Sequence, residues 1–265
     1  MIRVGVFGAG GRMGAMVCRT VAADPGLELV AAVDPHHAGL DVRQVTGAES
    51  PGMQVAPSAD ALADAGAEVA VDFTEAHAAR ENMRWCAANG VHGVVGTTGL
   101  ATEDIDVLDK LFSPDGKPNC LVAPNFAIGA VLMMRFAELA APWFETAEII
   151  ELHHDGKVDA PSGTAILTAR RMAEASEEWG KDPTTSEVVP GARGGAGPGA
   201  IRMHSVRLRG LVAHQEVLLG TTGQSLIIRH DSYDRSSFMP GVVLAVKQIA
   251  SRPGLTVGLD TFLGL

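Results

Sequence analysis

The chain is poor in cysteine, poor in positive charge and without any long apolar run. Cys18, Cys86 and Cys120 are its only cysteines among 265 residues, an odd number at wide spacings with no CxxC pair. That excludes a disulfide framework or a zinc knuckle and predicts buried free thiols. The formal net charge of -10 excludes a general affinity for nucleic acid through phosphate neutralisation. It leaves room for a local basic pocket that serves a small anion. No apolar run reaches the ~18 residues of a membrane-spanning helix. The opening MIRVGVFGAG lacks the basic, apolar and small-residue layout of a signal peptide. No nucleic-acid or membrane partner is expected, and the cytoplasm is the expected compartment. What is present is apolar bulk: 46% of the residues are hydrophobic, enough for a sizeable core in one or two domains.

Apolar runs alternate with helical patterns over the first half. Residues 2–7 read as a strand, 13–23 as a helix and 27–33 as a second strand that ends at Asp34. Further strands are predicted at 69–73, 91–95 and 119–123, with helices at 76–89 and 102–111. Strands alternating with helices predict a doubly wound parallel sheet. After Asn125 the pattern changes. Helices are predicted at 128–143 and 165–179, with a strand at 147–152. Strands at 201–208, 212–219 and 225–230 are separated by short turns at Arg209-Gly210 and at residues 220–223. Short turns imply antiparallel pairing, so a mixed or antiparallel α+β domain is expected here. Residues 241–249 and 255–259 read as a helix and a strand that return to the first domain. The expected division is residues 1–125 with 235–265, and 126–234 as the insert. The glycine-rich stretch 191–199 reads either as a lid or as a surface loop.

Gly8-Ala9-Gly10-Gly11-Arg12-Met13-Gly14 follows the first strand and opens the first helix. Glycines let the backbone approach a pyrophosphate, and the helix N-terminus supplies N–H donors and a favourable dipole. Met13 occupies the sixth position of the usual G-x-G-x-x-G, so Gly8, Gly11 and Gly14 form a version one residue longer. Asp34 stands 20 residues beyond Gly14, where a carboxylate binds adenosine ribose hydroxyls. Pro35, His36 and His37 follow with no arginine, so NADH is favoured over NADPH; Arg12 can compensate in part. Gly96-Thr97-Thr98-Gly99 and Ala123-Pro124-Asn125-Phe126 each follow a strand. They are placed to line the nicotinamide half, although each also reads as an ordinary strand-to-helix turn.

The densest chemistry lies in Glu151-Leu152-His153-His154-Asp155-Gly156-Lys157-Val158-Asp159-Ala160-Pro161-Ser162-Gly163-Thr164-Ala165. Two imidazoles, an ammonium and a helix N-terminus are groups that serve a carboxylate and a proton transfer. A helix cap alone, or surface histidines, also explain parts of the run. A metal site on His153, His154 and Asp159 is disfavoured by Lys157 in the same loop, and no metal is expected.

This run strongly resembles the E-x-HH-x-x-K-x-DAPSGTA signature of the 4-hydroxy-tetrahydrodipicolinate reductases, the dihydrodipicolinate reductase family. GAGGRMG, Asp72-Phe73-Thr74, GTTG and APNF match in the same order. So does the late block from His204-Ser205-Val206-Arg207 through Ala213-His214-Gln215-Glu216-Val217 to His230. Between the histidine pair and the lysine this chain has Asp155-Gly156, where many relatives carry a basic residue. The resemblance implies a Rossmann domain with an inserted domain for substrate and homotetramer formation. It implies reduction of a dicarboxylate ring by NAD(P)H. His153 would be the proton donor or acceptor, Lys157 the proton donor, and His154, Gly163 and Thr164 the carboxylate holders. Gly8 to Met13, Asp34, Gly96, Thr97, Thr98 and Ala123 to Phe126 would hold the cofactor. Another two-domain amino-acid or semialdehyde dehydrogenase, or a non-catalytic NAD-binding protein, would share the glycine loop.

Overall fold

A computed structural model describes residues 1–113, 115, 118–176 and 178–265. The chain forms two compact units, Met1–Phe126 with Phe238–Leu265, and Ala127–Ser237.

In the first unit β1 (Ile2–Phe7), α1 (Arg12–Ala23) and β2 (Leu27–Val33) make a βαβ crossover. The short helices α2 (Val42–Thr46) and α3 (Asp60–Asp64), which the sequence pattern did not reveal, lead to β3 (Val69–Asp72). Then follow α4 (Ala76–Asn89), β4 (His92–Val95), α5 (Thr102–Leu111) and β5 (Cys120–Val122). Every residue of β3 is buried, as expected for a strand covered on both faces of a parallel sheet. Phe7, Leu62, Met83, Phe112 and Cys120 share its buried core with Ala70 and Val95.

The second unit begins with α6 (Ile128–Ala140). A single 3-10 turn, Ala141–Trp143, follows where Pro142 cannot continue the α-helix. The central strand is β6 (Thr146–His153), followed by α7 (Gly163–Ala175). The helix thus stops short of the expected residue 179; Glu177 lies outside the described residues. Strands β7 (Gly195–Ala196), β8 (Arg202–Arg207), β9 (Ala213–Thr221) and β10 (Gln224–Ser232) complete the sheet in the order β10-β9-β6-β8-β7. The last two form the expected hairpin. The strand before them does not pair with β9: β6 lies between, parallel to β8 and antiparallel to β9. The turn at Arg209-Gly210 therefore carries the chain past the end of β6, where the Leu208 amide donates to the His153 carbonyl at 3.0 Å. Ile149 and Glu151, both fully buried, suit β6 to this central place. The glycine-rich stretch contributes β7 to the sheet edge. Arg193 pins it there through Glu148, at 2.7 Å.

The chain then returns to the first unit through α8 (Met239–Gln248) and β11 (Leu255–Val257). β11 adds to β5 in parallel, giving a six-stranded parallel sheet in the order β11-β5-β4-β3-β1-β2. β1 is flanked by β2 on one side and β3 on the other, so the order reverses at its carboxyl end.

Candidate active site

The glycine loop sits at this reversal. Gly8 holds φ at +67°, a left-handed conformation open to glycine at little cost. A Cβ on Gly14 would overlap the Gly8 carbonyl oxygen, so only hydrogen there lets α1 start this close to β1. The Ala9 amide donates to the Val33 carbonyl at 3.1 Å, tying the loop to β2. Arg12, Met13 and Gly14 then form the first turn of α1, whose amides have no partners within the helix. These residues fit a dinucleotide phosphate: a tight turn in which a Cβ at Gly8, Gly10 or Gly14 would strike Thr74, His37 or the Gly8 carbonyl, ending on helix N–H groups.

Asp34, buried at the end of β2, faces the same loop. Its Oδ2 accepts the Gly10 amide at 2.9 Å and its Oδ1 the His36 amide at 3.0 Å. Burial alone would raise the Asp34 pKa; the His37 ring and the two amides outweigh it and hold the carboxyl below its ordinary range.

Asp72, fully buried at the end of β3, is the structural hub of this half; sequence reasoning gave it as part of the matching Asp72-Phe73-Thr74 and assigned it no role. Its Oδ1 accepts from the Thr74 amide at 2.8 Å, the Thr74 hydroxyl at 2.7 Å and the Thr97 hydroxyl at 3.2 Å. Its Oδ2 accepts from Asn82 at 2.8 Å. One carboxylate thus fixes the 73–75 turn and the GTTG turn together. Thr98 is exposed beside the buried Thr97, and Gly96 lies against the Phe73 ring. In the APNF turn the Ala123 amide donates to Val95 at 2.9 Å. Phe126 packs on Phe73 with ring centroids 5.5 Å apart, while Pro124 is exposed and Asn125 half-buried. Apart from that match, the signal for Asp72 in the sequence is an acid at the end of an otherwise apolar run.

The second unit carries the other set. His153 is the last residue of β6, and its Nδ1 lies 2.5 Å from Glu151 Oε2. Glu151, whose side chain is 0% exposed, also takes a two-pronged contact from Arg207 at 2.8 and 3.0 Å. Burial pushes its pKa up, but His153, Arg207 and Ser205 push harder, down to about 2. Arg207 then donates to the Asp159 carbonyl at 2.6 Å. The Asp159 carboxylate grips Lys157 Nζ at 2.6 and 2.8 Å, and the ammonium holds that carboxyl below its usual range. His153 and Lys157 are thereby joined in one network through Glu151, Arg207 and Asp159. Sequence reasoning gave no role to Glu151 or Arg207 and weighed Asp159 only as a disfavoured metal ligand.

His154 is exposed, and the Lys157 amide donates to its carbonyl at 3.2 Å in the intervening turn. Asp155 does not lie bare in that turn: Arg209 meets it at 2.8 Å. Ser162 caps α7, its Oγ accepting from the Ala165 amide at 3.3 Å. That places Gly163, exposed, and Thr164 in the leading turn of the helix. Among the described residues, no group of three His, Cys, Asp or Glu side chains is arranged to hold a metal ion. The three cysteines are buried and free, and burial raises each thiol pKa, that of Cys18 to about 12.

A parallel sheet with a glycine cradle at its reversal point, and an inserted mixed sheet bearing a His–Glu–Arg network, define a Rossmann-type dinucleotide-binding protein with a second functional unit. The family models for the N-terminus and C-terminus of dihydrodipicolinate reductase match residues 2–126 and 129–263. The 4-hydroxy-tetrahydrodipicolinate reductase of Corynebacterium urealyticum is 48% identical over 268 residues, covering 100% of both chains. That of Nocardia farcinica is 49% identical over 267 residues, covering 100% of this chain and 99% of the other. A dipicolinate-bound dihydrodipicolinate reductase from Paenisporosarcina sp. TG-14 superposes with a TM-score of 0.86 at 42% identity, covering 98% of this chain and 99% of that one. The chain belongs to the dihydrodipicolinate reductase family. An amine dehydrogenase of Mycobacterium smegmatis, at 16% identity and a TM-score of 0.67 over 98% of this chain and 95% of that one, shares the fold alone. The reading as an amino-acid or semialdehyde dehydrogenase gives way to this family.

Proposed function

We propose that the protein reduces 4-hydroxy-tetrahydrodipicolinate to tetrahydrodipicolinate at the expense of NADH, with NADPH as the weaker donor. The observation that carries this is the network from His153 through Glu151, Arg207 and Asp159 to Lys157, next to the N-terminus of α7. The bound nicotinamide supplies the hydride.

The chain's own groups bind the dicarboxylate and move the proton. His154, Gly163 and Thr164 take a substrate carboxylate at the head of α7, where the helix dipole favours an anion. Glu151 fixes the His153 ring by its Nδ1 and leaves Nε2 for the substrate. Lys157 donates the proton that the reduced ring needs, which requires it to exchange Asp159 for the substrate. In the first unit Gly8, Ala9, Gly10, Gly11, Arg12 and Met13 hold the pyrophosphate, and Asp34 holds the ribose. Gly96, Thr97, Thr98, Ala123, Pro124, Asn125 and Phe126 line the nicotinamide end. A carboxylate at Asp34 repels a 2′-phosphate, which supports the preference for NADH.

A homotetramer is part of this reading. On β10 of the second unit Leu226 and Ile227, on opposite faces of the strand, are 38% and 57% exposed, apolar side chains that association would cover. Free thiols at all three cysteines suit the cytoplasm. The test is an NADH-oxidation assay with the substrate generated in place from pyruvate and aspartate semialdehyde. Turnover that depends on both precursors is expected; NADH loss that ignores them would refute the function.

A further inference from the structure

Asp72 carries a charge whose role the hydrogen bonds around it do not explain. The residue is 0% exposed, at the end of a strand buried throughout. Its donors are all neutral: the Thr74 amide and hydroxyl, the Thr97 hydroxyl and the Asn82 carboxamide. Neutral donors solvate a buried carboxylate without cancelling its charge, and burying such a charge is costly. Its field reaches into the core: burial raises the pKa of the Cys86 thiol, and Asp72 raises it further. An uncharged side chain could pin the same turns at a smaller desolvation cost, so the charge itself asks for a task. Its place supplies one. Asp72 pairs with Phe7 of β1 on one side and Val95 of β4 on the other, the residues just before Gly8 and Gly96. The Thr97 hydroxyl, at 3.2 Å, sets the carboxylate one hydrogen bond behind the GTTG turn. The Gly96 amide donates to the Asp72 carbonyl at 2.9 Å. A nicotinamide ring is neutral when reduced and positively charged once it has given up hydride. An anion fixed in surroundings of low dielectric acts strongly on such a developing charge.

We propose that the buried charge of Asp72 favours the oxidised nicotinamide over the reduced one and so eases the departure of hydride. The two electrons leave with the hydride for the substrate ring; Asp72 itself neither gives nor takes a proton. The proposal rests on the reading of the GTTG turn as the nicotinamide end.

The experiment measures Kd for NADH, NAD+ and ADP-ribose by titration calorimetry on the whole protein without substrate, with circular dichroism as the check on folding. In Asp72→Asn the ratio Kd(NAD+)/Kd(NADH) rises about tenfold over wild type, the size of one charge–charge interaction in partly buried surroundings. Asn82→Lys keeps the carboxylate and its bonds to Thr74 and Thr97 and sets an ammonium beside it. There the ratio rises about threefold, because water screens the longer side chain in part. Kd for ADP-ribose, which lacks the ring, stays within about twofold of wild type in both variants. A merely structural role for Asp72 would weaken ADP-ribose along with the dinucleotides and leave the ratio alone. An unchanged ratio in Asn82→Lys overturns the proposal, whether or not Asp72→Asn folds. Thr98→Trp tests the underlying reading separately, by adding bulk at the exposed residue of the GTTG turn. It should weaken NADH and spare ADP-ribose; equal effects on the two overturn that reading.

Discussion

On the proposed reading, the glycine cradle of the first unit and the histidine–lysine loop of the second solve the same problem, holding an anion, by opposite means. The cradle works with backbone: hydrogens in place of side chains, a positive φ at Gly8 and the leading amides of α1. The loop works with side chains: His153, the buried Glu151 and Arg207 are linked through their ionisable groups, and Arg207 reaches the backbone carbonyl of Asp159, whose carboxylate holds Lys157. The first is specified by shape and fails when volume is added. The second is specified by charge and fails when a partner is taken away.

Removing one cation at the reacting end should give the largest effect. Lys157→Ala is expected to lower kcat by roughly 10²–10⁴-fold, the usual worth of a general acid, while the NADH Kd stays as in wild type. Steady-state kinetics with nucleotide titration checks it; near-normal turnover would remove Lys157 from the chemistry and erase the contrast. Next, Arg207→Met strands a buried carboxylate, which costs about 3–5 kcal/mol. Urea unfolding of the single variant and of Glu151→Gln/Arg207→Met should show the double variant recovering part of that stability. Turnover should stay low in the double variant, because there His153 has also lost the carboxylate that orients it. A double variant no more stable than the single one would mean that the arginine acts by packing rather than by charge.

Adding volume to the cradle should cost somewhat less. Gly14→Ala forces a methyl group onto the Gly8 carbonyl, a strain of roughly 1–3 kcal/mol. It should weaken both nucleotides together and leave dipicolinate binding intact by calorimetry. Equal weakening of dipicolinate would show that the two sites are not separable in this way. The mildest expectation concerns acid. The folded pKa of Glu151 is about 2, below the ordinary value near 4.3. Its stabilising contribution is therefore present above that ordinary value and is lost as pH falls from there through about 2. Circular dichroism in that window should show wild type losing stability progressively; a flat profile would remove Glu151 from the stability balance.

Much of this was legible in the residues. Alternating strands and helices, the glycine loop and Asp34 sit within one short crossover, so local pattern suffices to find them. The run from Glu151 to Ala165 is also contiguous. What stayed hidden depends on contacts between distant segments. Arg207 lies 56 residues from Glu151, and only the parallel pairing of β8 with β6 brings them together. A short turn at Arg209-Gly210 suggested a hairpin, but turn chemistry does not report which strand has already taken the neighbouring place. Asp72 was hidden for a related reason. Its partners come from its own turn, from α4 and from the turn after β4, and no spacing rule joins those three.

The return of α8 and β11 to the first sheet sets an order of events during synthesis. A ribosome delivers every strand of the second sheet before it delivers the sixth strand of the first. The insert therefore has all its strands while β5 still waits with an open edge, and the cradle's sheet gains its last strand only when β11 emerges. A stalled or shortened product would thus carry a complete second unit and a first unit whose buried strand β5 is left as the edge of its sheet, a form prone to stick to its neighbours.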